Sequence, residues 1–260
     1  MSEHELTARE REVALLYADL HANASESYAL EYLLPGFRRH LMQLGLDSAT
    51  CLRDKSFLDA GCGGFAGGVA VADALGASPI LGIDLSSANI AAARARFASR
   101  QHISFEVENL LSLSLESNRF DFVYCNGVLH HTEEPKQAFL ELVRVLKPGG
   151  RLYIGVYGRG GLFNEVAVPT MKLAGKVVPR RFMNIILRAT PWLLKPSMSL
   201  MDFMYVPIEM HYHPGEVERW FDGTGIQPTF LRHYYQPDTL VNRLLFGRGT
   251  MLFFYGVKPA

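Results

Sequence analysis

The sequence predicts a three-layer, doubly wound α/β fold, in which a mostly parallel sheet carries helices on both faces. Short apolar runs, typical of buried strands, cover residues 56–60, 79–84, 103–107, 120–125 and 151–156. Amphipathic stretches with helical spacing lie between them, near residues 66–75, 88–99 and 135–146. Strands and helices that alternate in this way form parallel sheets, whose ligand-facing loops gather at the carboxyl ends of the strands.

The segment before this alternation is predicted to be helical, and the segment after it is predicted to complete the sheet. Apolar residues at three- and four-residue spacing predict helices over residues 5–45, divided at Pro35-Gly36. Residues 159–206 form an apolar, proline-punctuated helical insertion, and a short helix at 216–221 precedes strands at 227–235 and 250–257. The expected organisation is therefore an N-terminal region and core over 1–158, an insertion over 159–206, and completion of the core over 207–260.

Composition narrows the class of protein. The chain has 260 residues, with 26 basic and 26 acidic side chains, so its charge gives no indication of a DNA partner. The three cysteines form no C-x-x-C pair, which argues against a zinc site or a disulfide framework, and no metal is expected. The polar start lacks the pattern of a signal peptide, and no run is long and apolar enough to span a bilayer. A cytoplasmic location is expected.

A glycine-rich turn follows the first predicted strand, in the sequence F-L-D-A-G-C-G-G-F over residues 57–65. Gly61, Gly63 and Gly64 would let the backbone approach a ligand closely. Asp84 ends the second strand, where a carboxylate accepts hydrogen bonds from both hydroxyls of a ribose. These features predict a nucleotide pocket, for a dinucleotide or for another cofactor that contains adenosine.

Three features depart from the dinucleotide pattern. The turn reads D-A-G-C-G-G rather than a full G-x-G-x-x-G, and Asp59 would repel a pyrophosphate but suit a ligand that carries an ammonium group. The loop N-G-V-L-H-H over 126–131 has no dinucleotide counterpart. Neither does the segment L-K-P-G-G over 146–150, which is predicted to end a helix.

Together, four segments resemble the class I S-adenosylmethionine-dependent methyltransferases, especially the small-molecule type. They are L-D-A-G-C-G-G, G-I-D-L-S, F-D-F-V-Y-C-N-G-V-L-H-H and R-V-L-K-P-G-G-R-L-Y-I, and they occur in the family's order. The resemblance implies a Rossmann-like sheet of seven strands with the last one antiparallel. It also implies S-adenosylmethionine as cofactor and S-adenosylhomocysteine as product.

The same resemblance assigns roles along the cofactor. The residues that would line the methionine moiety are Asp59, Gly61, Cys62 and Gly63, and Asp84 would bind the ribose hydroxyls. Leu85 would pack on the adenine, with Asn109 and Leu110 next to its amino group. The floor under the transferring methyl would consist of Asn126, Gly127 and Val128. Asn109 departs from the acidic residue that is usual there, although its amide oxygen can still accept a hydrogen bond. The turn glycines, Asp84 and Asn109 also have plain readings, as a packing turn, the start of a helix and an ordinary loop.

Histidines are the candidate catalytic bases, because their titration lies near neutral pH. His130 and His131 follow the fourth strand, with a packing role as the alternative. His211 and His213 belong to a second cluster before Pro214, with a helix-start loop as the alternative. The candidate substrate contacts are Tyr17 and His21 on the N-terminal helices, together with Tyr205, Glu209 and Tyr212; an exposed helix face is the alternative for the first two.

The insertion is rich in basic and apolar side chains, and three interpretations remain open. It is a lid over an apolar acceptor, a basic surface for peripheral membrane contact through residues 172–195, or a homodimer interface. Its basic residues are Lys172, Lys176, Arg180, Arg181, Arg188 and Lys195.

The sequence thus predicts a methyltransferase that acts on a small or medium-sized, apolar or aromatic molecule. Oxygen is the first choice of acceptor atom, and carbon or nitrogen comes next. The alternatives are a nicotinamide-dependent oxidoreductase on a related fold and a cofactor-binding regulator without catalysis.

Overall fold

A seven-stranded sheet forms the centre of the computed structural model, which describes residues 7–21, 26, 29–189, 194–231, 239–247 and 249–260. The order across the sheet is β3-β2-β1-β4-β5-β7-β6, and β7 runs antiparallel to both of its neighbours. The strands are β1 Phe57–Ala60, β2 Ile80–Asp84, β3 Ile103–Val107, β4 Phe120–Asn126, β5 Leu146–Tyr157, β6 Thr229–Leu231 and β7 Met251–Val257. Six parallel strands and an antiparallel last strand confirm the predicted fold.

Helices cover both faces of the sheet and continue into the insertion. Their bounds are α1 Ala8–His21, α2 Leu34–Gln43, α3 Gly67–Ala74, α4 Ser87–Arg96, α5 Pro135–Val145, α6 Val168–Val177, α7 Arg180–Ala189, α8 Leu194–Tyr205, α9 Pro214–Glu218 and α10 Leu240–Phe246. Pro35 lies in the first turn of α2, where its missing N–H costs no helical hydrogen bond. In the described part of the chain, no helix has both the length and the hydropathy that a membrane span requires.

Two apolar layers hold the helices against the sheet, because neighbouring strand residues point to opposite faces. Phe57 and Phe122 stack at 5.4 Å on the face covered by α2 and α3, whereas Leu58 lies on the opposite face. On that opposite face Phe139 of α5 is fully buried. Each such side chain contributes about 1.5–3 kcal/mol through burial. The sheet is therefore a rigid platform for the loops at its edge.

The segment 146–150 differs from its prediction. Helix α5 ends at Val145, and the chain is already extended at Leu146, which pairs with Phe120 of β4. The register shifts between Phe120 and Phe122, and Gly149 takes a positive φ of 74° while its N–H donates to the carbonyl of Lys258. The glycines therefore lie in the irregular first part of β5 rather than at the end of a helix. Backbone hydrogen bonds join them to Lys258, just after β7. The sixth strand begins at Thr229, two residues later than predicted, and residues 232–238 lie outside the described part.

Candidate active site

A cavity of about 210 Å³ opens where the carboxyl ends of β1, β2 and β4 meet beneath α1. Its lining includes ten of the eleven residues assigned to the cofactor: Asp59, Gly61, Cys62, Asp84, Leu85, Asn109, Leu110, Asn126, Gly127 and Val128. The eleventh, Gly63, joins the wall through its N–H, which donates to Asp84 at 2.9 Å. The topology therefore brings the predicted set together at one edge of the sheet.

The glycine turn after β1 has no room for a side chain at Gly61. Gly61 and Gly63 have positive φ angles of 82° and 63°, which favour glycine. A Cβ on Gly61 would lie 2.4 Å from Cγ2 of Val128, so the turn packs directly onto the loop after β4. This contact ties the wall of the cavity to its floor.

Asp84 is held rigidly at the end of β2. Its carboxylate accepts hydrogen bonds from the N–H groups of Gly63 and Ser86 at 2.9 Å and from the amide of Asn89 at 3.1 Å. Burial raises its pKa, although these hydrogen bonds oppose the change. A fixed carboxylate with lone pairs toward the cavity suits a ligand with neighbouring hydroxyls.

Asp59 is a buried carboxyl group beneath the turn. It accepts a hydrogen bond from the N–H of Val69 at 3.0 Å, and burial raises its pKa to about 7, with a further contribution from Asp84. Gly68 lines the cavity beside it, and a Cβ there would lie 2.6 Å from the carboxylate. An ammonium group on a ligand would favour the ionised form of Asp59.

Asn126 and Asn109 present their amides differently. Asn126 donates from Nδ2 to the hydroxyl of Tyr124 at 3.1 Å, while its buried Oδ1 has no partner among the described residues. This oxygen faces Gly155 of β5, where a Cβ would lie 2.1 Å from it, and it has no surface open to the cavity. Oδ1 of Asn109 already accepts from the N–H of Leu111 at 2.9 Å, and its Nδ2 lies 3.4 Å from Oε1 of Glu10.

Tyr17, His131 and Asp202 form a polar cluster at the edge of the cavity, which Tyr17 and His131 both line. The Tyr17 hydroxyl lies 2.8 Å from Nε2 of His131 and also contacts the carboxylate of Asp202. The hydroxyl of Tyr157 donates to the same carboxylate, and Nδ1 of His131 lies 2.7 Å from the carbonyl oxygen of Ile208. The buried ring and carboxylate are therefore oriented from both sides.

The contacts of this cluster require one proton more than a neutral histidine and an ionised aspartate provide. The Ile208 carbonyl requires a proton on Nδ1 of His131, and the single proton of the Tyr17 hydroxyl cannot occupy its contacts with His131 and Asp202 together. All contacts are satisfied when an additional proton sits on Nε2 or on Asp202. The cluster is thus able to take up one proton from a ligand.

His130 has a different environment from its neighbour. It is fully buried, its ring lies 3.9 Å from that of Tyr157, and its Nδ1 accepts from the Tyr157 N–H at 3.3 Å. Burial holds its pKa well below the ordinary value, with the charges of His131 and His211 adding to the effect. The geometry agrees with the packing alternative for His130.

Glu209 and His211 form a second cluster, beside a separate cavity. The Glu209 carboxylate accepts from Nε2 of His211 at 2.7 Å and from the ammonium of Lys172. Burial alone would raise the pKa of Glu209, but these hydrogen bonds hold it below its ordinary value. For His211 the directions are reversed. Burial alone would lower its pKa, but the hydrogen bond to Glu209 raises the pKa above its ordinary value.

Among the remaining predicted residues, Tyr205, Tyr212 and His213 do not line the main cavity. Tyr205 donates to the carbonyl of Val178 at 2.9 Å, and the Tyr212 ring packs on Trp220 at 5.0 Å. The N–H of His213 donates to Glu216 at 2.6 Å at the start of α9, as the alternative reading of this loop expected. His21 ends α1, but its side chain lies outside the described part.

Several residues of the site were absent from the prediction. Glu10, Gly68 and Asn89 line the main cavity, and Asp202 completes the cluster from α8. Asn89 lies three residues after the helix-capping Ser86, a position that the sequence could have indicated. Asp202 comes from the insertion, and no local pattern links it to Tyr17. The described residues contain no group of three or more histidine, cysteine or acidic side chains arranged to hold a metal ion.

Part of the chain matches a known protein family. Residues 58–154 match the model of the methyltransferase domain. The chain is 25% identical over 182 residues to a ubiquinone biosynthesis O-methyltransferase of Coxiella burnetii. The aligned region covers 65% of this chain and 72% of the relative.

Two solved structures have the same fold. A methyltransferase dependent on S-adenosylmethionine from Mesorhizobium loti superposes with a TM-score of 0.57 at 18% identity, covering 86% of this chain and all of its own. Magnesium protoporphyrin IX methyltransferase from Synechocystis, solved with bound S-adenosylhomocysteine, gives a TM-score of 0.58 at 14% identity, over 96% and 97% of the two chains.

Proposed function

We propose that the chain is a class I S-adenosylmethionine-dependent methyltransferase, as the match of residues 58–154 to the methyltransferase domain supports, and that it transfers the methyl group to an oxygen atom of a small, partly apolar molecule. The observation that carries this proposal is the cluster of Tyr17, His131 and Asp202 at the edge of the cavity. An oxygen acceptor such as a phenol or enol must lose a proton as it is methylated, and this cluster has a place for one.

The residues of the cavity fit the cofactor. Asp84 would bind the ribose hydroxyls, and Asp59 would face the methionine end. Leu85 and Leu110 supply apolar surface for the adenine. When bound, the cofactor supplies a methyl group on a sulfonium, which is already activated for displacement.

The protein's own contribution is alignment, exclusion of water and acceptance of a proton. The acceptor hydroxyl would approach between the cofactor and His131, and in-line displacement benefits mainly from such positioning. With His131 neutral and Asp202 ionised, the acceptor proton would pass to Nε2 of His131 directly or through the Tyr17 hydroxyl. Asp202 would stabilise the imidazolium that forms, because its carboxylate lies 3.7 Å from Nε2.

An apolar or aromatic acceptor suits the same cavity, because much of its wall is apolar. Val13 and Ala14 of α1 line it together with Leu33, Phe65 and Leu111. The 25% identity to a ubiquinone biosynthesis O-methyltransferase supports oxygen as the acceptor atom.

Calorimetry and a methyl-transfer assay test the proposal. S-adenosylhomocysteine should bind the purified protein and NAD should not, whereas tight NAD binding alone would favour the oxidoreductase alternative. A panel of phenols, amines and carbon acids, offered with isotopically labelled cofactor, should be methylated on oxygen. Binding of S-adenosylhomocysteine without any transfer to the panel or to a cell extract would instead indicate a regulator.

For the insertion we propose contact with an anionic membrane surface rather than a second copy of the chain. Helix α7 exposes Phe182, Ile185 and Ile186 at 52%, 63% and 49%, and Arg180 and Arg181 stand at its start. Apolar side chains beside basic ones suit the boundary between anionic headgroups and acyl chains. Flotation with phosphatidylglycerol vesicles should capture the protein, and the double variant F182S/I185S should reduce capture. Unchanged capture, or a dimer that the variant dissociates, would contradict this contact.

A further inference from the structure

A second cavity, of about 510 Å³, lies between α6 and the segment that contains Glu209 and His211. The residues that line it are Arg159, Asn164, Glu165, Val168, Pro169, Lys172, Leu173, Lys176, Glu209 and His211. None of them lines the main cavity. The two cavities are therefore distinct spaces within the described part of the chain.

The hydrogen bonds of His211 fix its charge. Its Nε2 lies 2.7 Å from the Glu209 carboxylate and its Nδ1 lies 3.1 Å from the carbonyl oxygen of Gly158. Both partners are acceptors, so both ring nitrogens must carry protons for these contacts to be satisfied. His211 is thus an imidazolium at the wall of the second cavity.

Positive charge exceeds negative charge around this space. The cations are Arg159, Lys172, Lys176 and His211, and the carboxylates are Glu165 and Glu209. Glu209 is already engaged by two of these cations, since its side chain is 1% exposed and contacts both Lys172 and His211. Buried and paired in this way, Glu209 positions the cations rather than attracting a further one.

Two cations at the rim remain available to a ligand. Arg159 lies 3.6 Å from Glu165, and both side chains are more than half exposed, so this pair is weak. Lys176 is exposed and has no hydrogen-bond or ion-pair partner among the described residues. Beside them, Val168, Pro169 and Leu173 provide an apolar wall.

We propose that this second cavity binds a small organic anion, with a carboxylate or phosphate group held by Arg159, Lys172 and Lys176 and an apolar body against Val168 and Leu173. Such a site is independent of the cofactor cavity. It would place an anionic ligand beside His211, whose ring lies 5.5 Å from that of Tyr157, which in turn contacts Asp202 of the catalytic cluster.

Calorimetry on protein saturated with S-adenosylhomocysteine tests the site, with phenyl phosphate and benzoate as probes and benzyl alcohol as the neutral probe. The anions should bind at least roughly tenfold more tightly than the alcohol, since hydrogen bonds to charged groups dominate the contact. The double variant R159M/K176M should weaken anion binding by roughly tenfold or more. Both residues are exposed at the rim, so the fold should be preserved, which a melting curve checks.

Lys136→Met is the matched control, because it removes one exposed positive charge on α5 away from the cavity. It should leave the affinity for phenyl phosphate unchanged. The proposal fails if wild-type protein binds neither anion, if benzyl alcohol binds equally well, or if R159M/K176M binds as tightly as wild type. It fails too if the anions bind only to protein without S-adenosylhomocysteine and not to the saturated protein, since that would put the anion in the main cavity.

Discussion

The hydroxyl of Tyr17 lies 2.8 Å from Nε2 of His131, and it joins a residue of the first helix to the loop that follows the fourth strand. The same hydroxyl contacts Asp202 of α8. Three segments far apart in the chain thus meet at one polar cluster. The cluster exists only when α1 and the insertion are both seated over the sheet.

If His131 accepts the proton of the acceptor, His131→Asn should lower kcat for methylation of a phenol by about 10²–10⁴-fold. Affinity for S-adenosylhomocysteine should change little, because the cofactor residues are untouched. Tyr17→Phe should also lower kcat, whereas Tyr157→Phe, which removes a hydroxyl that does not line the cavity, should cost less. Equal activity of wild type and His131→Asn would remove His131 from the reaction.

Loss of the carboxylate at the end of β2 should weaken binding of the cofactor. Asp84→Ala should cost about 1–3 kcal/mol in binding of S-adenosylhomocysteine, the scale for donors that lose their partner in a buried site. Asp47→Ala, in an exposed turn, is the matched control and should bind as wild type does. Calorimetry measures both, and an unchanged affinity for Asp84→Ala would place the ribose elsewhere.

The raised pKa of Asp59 predicts that cofactor binding depends on pH. With a pKa of about 7 in the free protein, Asp59 is about half protonated at pH 7, and an ammonium group beside it would favour ionisation. Binding should therefore release about half a proton at pH 7, and affinity should rise with pH and level off above about 7.

The heat of binding of S-adenosylhomocysteine, measured in buffers of different ionisation enthalpy, reports this proton. Asp59→Asn should abolish the dependence on buffer. A wild-type protein whose binding heat is the same in all buffers at pH 7 would separate Asp59 from the ammonium group.

Gly68 predicts a steric effect on the same carboxylate. A Cβ there would lie 2.6 Å from Asp59, so Gly68→Ala should displace the carboxyl group and cost about 1–3 kcal/mol in the free energy of unfolding. The same substitution should also weaken binding of the cofactor. Gly215→Ala, where the nearest atom lies 3.9 Å away, is the control, and thermal melts compare the two. A neutral Gly68→Ala would show that this wall yields easily.

The central sheet and the cofactor wall could be predicted because their signals are local. Alternation of apolar runs and helices determines the first five strands, and the turn at Gly61 and Gly63 stands beside Asp59 in the sequence itself. Asp84 follows from its position at the end of a strand, where parallel topology brings it to the turn.

The part of the site proposed to bind the methyl acceptor could not be predicted in the same way, because residues that are far apart in the sequence come into contact there. Nothing near Tyr17 in the sequence indicates that Asp202 will share its hydroxyl. Tyr212 and His213 look like a polar cluster in sequence, yet the fold uses one against Trp220 and the other at a helix start. Similarly, the glycines at 149–150 suggest a helix end, whereas backbone hydrogen bonds with Lys258 hold them in the first part of β5.

The most direct test of the account transfers a ¹³C-labelled methyl group from S-adenosylmethionine to a phenol panel and to a cell extract, and identifies the labelled product by mass and by its carbon chemical shift. The account predicts a small-molecule product with the label in a methoxy group, formed by wild type and lost in His131→Asn. A product labelled on carbon or nitrogen, or a methoxy product formed equally by His131→Asn, would contradict it.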